Sequence, residues 1–222
     1  MGNMEISESL LEAPVIGLWP EPIEVPKNVL QTGSMWPCFN IRGVKVMVKK
    51  PGFGGDRAFT NETTAYSLAR ALGIKMPETC SKLLIVGKPS ASALRYYASD
   101  YPKMFLVTRW WGGVGHFEER GSYKQQREIQ VFNALIRAGD RHHRNALVAG
   151  DMMYPIDHEI AFHDSSGSRF FEYEGRVKSQ LSTGDLELVE QARVWALDEP
   201  DSPQVRLVIE NAERLKSTRM LF

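Results

Sequence analysis

Cysteine, net charge and long apolar runs are scarce in this chain, and each shortage removes a class of function. The two cysteines, Cys38 and Cys80, have no metal-type spacing and are too few for a disulfide framework, so a reducing cytoplasm is the expected compartment. Lys+Arg and Asp+Glu both number 27, a formal net charge of zero. A general nucleic-acid binder would need a basic surplus to displace phosphate counterions, so that role is not expected. No apolar run approaches the roughly 18 residues of a membrane-spanning helix, so no transmembrane segment is expected. Residues 1–12 are acidic and lack the basic segment and apolar run of a signal peptide. Gly-x-x-x-x-Gly-Lys-Ser/Thr is also missing, which excludes a P-loop protein.

What is present suffices for one sizeable domain or two small lobes: 222 residues, 43% of them hydrophobic. Residues 1–30, with Pro14, Pro20, Pro22 and Pro26, read as an extended arm. Strands are expected at 35–41 and 44–49, the second with Val44, Val46 and Val48 on one face and Lys45, Met47 and Lys49 on the other. A helix over 59–72 follows, with Thr60 or Asn61 as cap and Gly73 as its end. Strands at 82–86 and 103–108 flank a short helix at 91–98. Arg109-Trp110-Trp111-Gly112-Gly113 is the expected crossing point from a β-rich lobe, 31–108, to a helical lobe, 109–222. There a long helix over 122–138 presents Ile129, Phe132, Leu135 and Ile136 to the core. A hairpin, 146–149 with 152–156, turns at Gly150-Asp151. Helices at 184–197 and 203–216 close the chain, the last capped by Ser202 with Pro203 at its first position. The fold class is α+β.

The hairpin concentrates the chemistry. Asn145 precedes its first strand and Asp157 follows its second, so antiparallel pairing brings them together. Asp140, five residues before Asn145 in the helix exit, can converge on the same spot. Magnesium takes hard oxygen ligands, usually one or two carboxylates plus substrate phosphates, and Asn145 with Asp157 suits it. A metal-free Asp140 can align or deprotonate an attacking hydroxyl. Catalytic Asp, Asn five residues on and metal-binding Asp after a hairpin is the kinase arrangement. Lys49 ends a Val-Met-Val-Lys strand suited to reaching nucleotide phosphates, and Glu62, expected in the first turn of the following helix, would hold it. Lys50 falls on the opposite face. Gly33-Ser34 can cover phosphates with backbone N–H groups, and Trp110 can border an adenine ring. His142, His143, His158 and His163 keep a transition-metal hydrolase in view. Adjacent histidines point apart, however, and no His-x-x-x-His pair exists, so His142 is read as orienting Asp140 or contacting the transferred phosphate.

Through Val46-Met47-Val48-Lys49, Asn61-Glu62, Leu68-Ala69-Arg70-Ala71-Leu72-Gly73-Ile74-Lys75-Met76-Pro77, Gly139-Asp140-Arg141-His142-His143-Arg144-Asn145 and Pro155-Ile156-Asp157-His158-Glu159-Ile160-Ala161-Phe162, the chain resembles HipA-like kinase domains. These belong to the protein-kinase-like superfamily and are related to the phosphoinositide kinases. The resemblance covers about residues 30–165 and implies a bilobal protein-kinase-like fold: a small β-rich N-lobe and a mainly helical C-lobe with a catalytic hairpin. It implies ATP and Mg²⁺ as cofactors, and a hydroxyl acceptor, on a Ser/Thr protein before a phosphoinositide or small molecule. It assigns the phosphates to Lys49, its positioning to Glu62, catalysis to Asp140 and the metal to Asn145 and Asp157. The glycine loop, reduced to Gly33-Ser34, keeps a catalytically silent pseudokinase module as the second reading. A metal-dependent hydrolase is the third.

Overall fold

A computed structural model describes residues 15–18, 35–40, 45–49, 56–84, 103–109, 122–138, 145–162 and 179–221. Gly33, Ser34, Trp110, Asp140, His142 and His163, together with the helix expected at 91–98, lie outside these residues. The chain mixes helices with small sheets. It divides into two compact units, Met1–Gly52 with Pro77–Trp111, and Phe53–Met76 with Gly112–Phe222.

The first unit carries a five-stranded antiparallel sheet, ordered β1-β2-β3-β5-β4. Its strands are β1 (Val15–Leu18), β2 (Met35–Asn40), β3 (Lys45–Lys49), β4 (Thr79–Leu84) and β5 (Lys103–Arg109). The expected arm thus contributes β1, which pairs with β2 through Leu18↔Cys38. β3 lies between β2 and β5, and successive residues Val46 and Met47 are both buried, so both faces are covered there. β4 starts at Thr79, earlier than the expected 82. Thr79 pairs with Thr108, their hydroxyls 3.1 Å apart, and the adjacent Arg109 N–H donates to the Glu78 carbonyl at 2.8 Å.

In the second unit, α1 (Asp56–Ala71) starts earlier than expected, so Thr60 and Asn61 do not cap it and Glu62 lies in its second turn. The extension carries Ala58 into the buried stripe Ala58, Asn61, Glu62, Ala65, Leu68, Ala69 and Leu72, the spacing of one helix face. Gly73, at φ +69°, ends the helix with Ile74 N–H donating to Ala69 O at 2.9 Å and Gly73 N–H to Arg70 O at 3.2 Å. α1 falls within this unit, whereas the expected β-rich lobe spans residues 31–108.

α2 (Gln126–Leu135) is shorter than the expected 122–138. Lys124 is drawn into a parallel bridge with Met152, and left-handed Gln125 spends its side chain on Lys75 and the Met153 carbonyl. The expected core residues Ile129, Phe132, Leu135 and Ile136 are buried. β6 (Ala146–Ala149) pairs with β7 (Met152–Pro155). α3 (Thr183–Asp198) and α4 (Pro203–Thr218) complete the helical body, with Ser202 capping α4 and Pro203 at its start. Two short strands, β8 (Ser179–Gln180) and β9 (Met220–Leu221), pair across its end.

Asp185 joins three of these elements. It closes a capping box with Ser182 and takes Arg127 of α2 in a fork, Nη2 at 2.8 Å and Nε at 3.1 Å from Oδ2. Arg127 also donates to Ser179 Oγ at 2.8 Å. Burial pushes the Asp185 carboxyl up, but the donors from Arg127 and Ser182 outweigh it and hold the group below the usual carboxylate range. A depressed folded value stabilises above the unfolded pKa and loses that contribution as pH falls through the folded one. Asp185→Asn is therefore expected to cost about 2 kcal/mol near neutrality. Its gap to the unsubstituted protein should narrow as pH drops below about 4, in urea unfolding followed across a pH series.

Candidate metal–phosphate site

The hairpin closes tightly. Ala146 faces Pro155 and Ala149 faces Met152, with Gly150 at φ +62° in the turn. Lys124 braces the turn through its N–H to the Asp151 carbonyl at 2.7 Å and by accepting the Met153 N–H at 3.3 Å. At the open end the Asn145 carbonyl accepts the Ile156 N–H at 3.2 Å. Asn145 and the residue preceding Asp157 are thus bonded to each other, the juxtaposition that hairpin pairing requires.

Asp157 takes the left-handed conformation, φ 62°, and is exposed. That region is unfavourable for most residues and least so for Asn and Asp. The next residue turns inward: His158 is fully buried, its ring edge-on to Phe132 at 5.6 Å between centroids. Its backbone N–H donates to Glu62 Oε1 at 2.8 Å, and its Nδ1 lies 3.4 Å from Oε2. Asp157 therefore has a fixed backbone on both sides, through Ile156 to Asn145 and through His158 to Glu62.

Glu62, Asp157 and Glu159 bring ligand oxygens within 4.8 Å of one another. Three carboxylates at that spacing repel unless positive charge lies among them, and their donor set suits a hard divalent cation such as Mg²⁺. The described cluster contains no histidine. His158 turns its Nδ1 toward the Glu62 carboxylate, as a positioning group would.

Of the residues expected from sequence, Asn145 and Asp157 sit at the hairpin mouth, and Glu62 reaches the same loop from α1. Lys49 ends β3 in the first unit and is partly buried. Gly33, Ser34, Trp110, Asp140 and His142 lie outside the described residues. Sequence reasoning missed Glu159, which stands two residues after Asp157, and the bond from His158 to Glu62. The available signal was the position of Asn61 and Glu62 within an otherwise apolar helix stripe, where a polar side chain needs a specific partner.

No family model matches the chain, and no curated protein matches it. Solved structures similar to it include a proinflammatory kinase, CtkA, from Helicobacter pylori. The identity is 10%, the match covers 84% of this chain and 91% of that one, and the TM-score is 0.43. Among the described residues, no helix is long and apolar enough to cross a membrane.

The two roles open to Glu62, acceptor and charge, separate by substitution. Glu62→Ala leaves the buried His158 N–H without this acceptor and is expected to cost about 3 kcal/mol. Glu62→Gln keeps an oxygen for that N–H and should stay within about 1 kcal/mol of the unsubstituted protein in chemical denaturation.

Proposed function

We propose that this chain is an ATP-dependent, kinase-like phosphotransferase of bilobal fold that uses Mg²⁺ and transfers to a hydroxyl group, with a protein Ser/Thr as the favoured acceptor. The observation that carries the proposal is the convergence of Glu62, Asp157 and Glu159 at the mouth of a hairpin whose ends are bonded through Asn145 and Ile156. A structural hairpin has no need to gather negative charge there.

Each residue has a stated task in this reading. Asp157 and Asn145 hold the cation, with Glu159 adding negative charge beside them. Glu62 fixes the backbone that carries Asp157. Lys49 is assigned the nucleotide phosphates, while Gly33 and Ser34 cover them and Trp110 borders the adenine. Asp140 aligns the acceptor hydroxyl and takes its proton, and His142 orients Asp140. Bound with the nucleotide, Mg²⁺ neutralises phosphate charge. The chain's own contribution is then positioning and electrostatic preorganisation, which suffice for phosphoryl transfer because little covalent chemistry is asked of the protein.

The test is transfer from γ-labelled ATP, with the protein alone and with lysate as the source of acceptor. Asp157→Ala should abolish transfer and weaken binding of the metal–nucleotide complex. Asp140→Ala should lower transfer at least about a hundredfold while sparing nucleotide binding. Full activity in Asp140→Ala would overturn its role. Nucleotide binding without transfer by the unsubstituted protein, on itself or on any lysate protein or lipid, would assign a pseudokinase module instead.

A further inference from the structure

Beyond Asp157 the loop has a second attachment to α1. The Asn61 amide nitrogen donates to the carbonyls of both Glu159 and Ala161, each at 2.8 Å. A carbonyl can only accept, so the amide orientation is determined: nitrogen toward the loop, oxygen away. On the far side Gln204, in the first turn of α4, donates from Nε2 to Asn61 Oδ1 at 3.1 Å. Asn61 and Gln204 are 3% and 4% exposed, so these bonds are sheltered from water. The segment they hold ends in Phe162, left-handed like Asp157, whose N–H reaches Ile136 O at 2.7 Å.

We propose that Asn61 and Gln204 are positioning residues of the cation site. Gln204 fixes the orientation of the Asn61 amide, and that amide holds the 159–161 backbone so that Asp157 presents its carboxylate to a divalent cation with the Glu159 carboxylate beside it. This rests on the reading of Asp157 as a cation ligand. Either amide can be disarmed without changing its shape. Asn61→Asp removes both donors to the loop. Gln204→Glu sets an acceptor against Asn61 Oδ1, and an Asn61 that turned over to satisfy it would point oxygen at two carbonyls. Both changes add negative charge near the site, which by Coulomb attraction alone would tighten cation binding. A loss of affinity therefore reports position rather than charge.

The experiment titrates the full chain with Mn²⁺ alone and follows free Mn²⁺ by electron paramagnetic resonance. Asn61→Asp and Gln204→Glu are each expected to weaken binding about tenfold, the usual scale for residues that orient metal ligands. Asp157→Asn supplies the reference for a lost ligand. Asp185→Asn supplies the control for lost stability and should keep the affinity of the unsubstituted protein. If the unsubstituted protein binds no Mn²⁺, or Asp157→Asn binds it equally well, the cation reading fails and this proposal with it. If Asp157→Asn loses binding while Asn61→Asp and Gln204→Glu retain it, the site stands and the positioning role is overturned. Weakening no greater than that of Asp185→Asn at equal loss of stability also overturns it.

Discussion

The hydrogen bond from the His158 N–H to the Glu62 carboxylate joins two parts of the chain that have separate reasons to exist. α1 is held in the body by Ala65, Leu68, Ala69 and Leu72, all buried in the core of the second unit. Residues 156–162, described after β7, form no ladder and take their path from individual bonds. Setting a carboxylate into the apolar stripe of α1 requires that it find donors, since burying an unsatisfied charged group costs several kcal/mol. The loop provides one at 2.8 Å. The same bond thus satisfies the helix and defines the loop.

The consequence for Asp157 is a backbone conformation that its own preferences do not favour. A non-glycine residue at positive φ costs roughly 1 kcal/mol or more, and Phe162 repeats that cost further along the loop. Such conformations persist where the surroundings over-determine them. Here the anchors are Asn145 before Asp157 and Glu62 after it, then Asn61 on two carbonyls and Ile136 on the Phe162 N–H. His158, packed edge-on to Phe132 with no exposure, turns the chain inward between them. Rigidity at Asp157 is the product of contacts contributed by α1, α2 and the hairpin.

Much of the fold was legible where local rules govern. Gly73 ends α1 because only a residue free at positive φ closes that motif comfortably, and Ser202-Pro203 opens α4 through a side-chain acceptor and a preset φ. The hairpin around Gly150 was legible for the same reason, and with it the meeting of Asn145 and Ile156. Distant partners decided the rest. The start of α2 moved because Lys124 pairs with Met152, and β4 started early because Thr79 pairs with Thr108. β8 and β9 are too short for any alternation to register. That α1 belongs with the helical body follows from which side chains it buries, a property no linear division can express. In the site, Asn145 and Asp157 could be placed by hairpin logic, whereas Glu159 and the contacts of Asn61 arise from pairings about a hundred positions apart.

A solvated charged turn would leave a different structure from the one found. Its carboxylates would spread into water, its backbone would relax toward negative φ, and the helix beneath would keep an apolar face. Instead two of three converging carboxylates, Glu62 and Glu159, are buried, and Asp157 beside them is held left-handed between two anchors. Each feature costs stability. Gln125, Arg137 and Arg219 beside the helix ends are left-handed as well, so what sets this segment apart is the meeting of a left-handed residue with buried carboxylates. That combination is what supports the proposed cation site. Among the described residues the converging groups are carboxylates, a donor set that suits a hard cation.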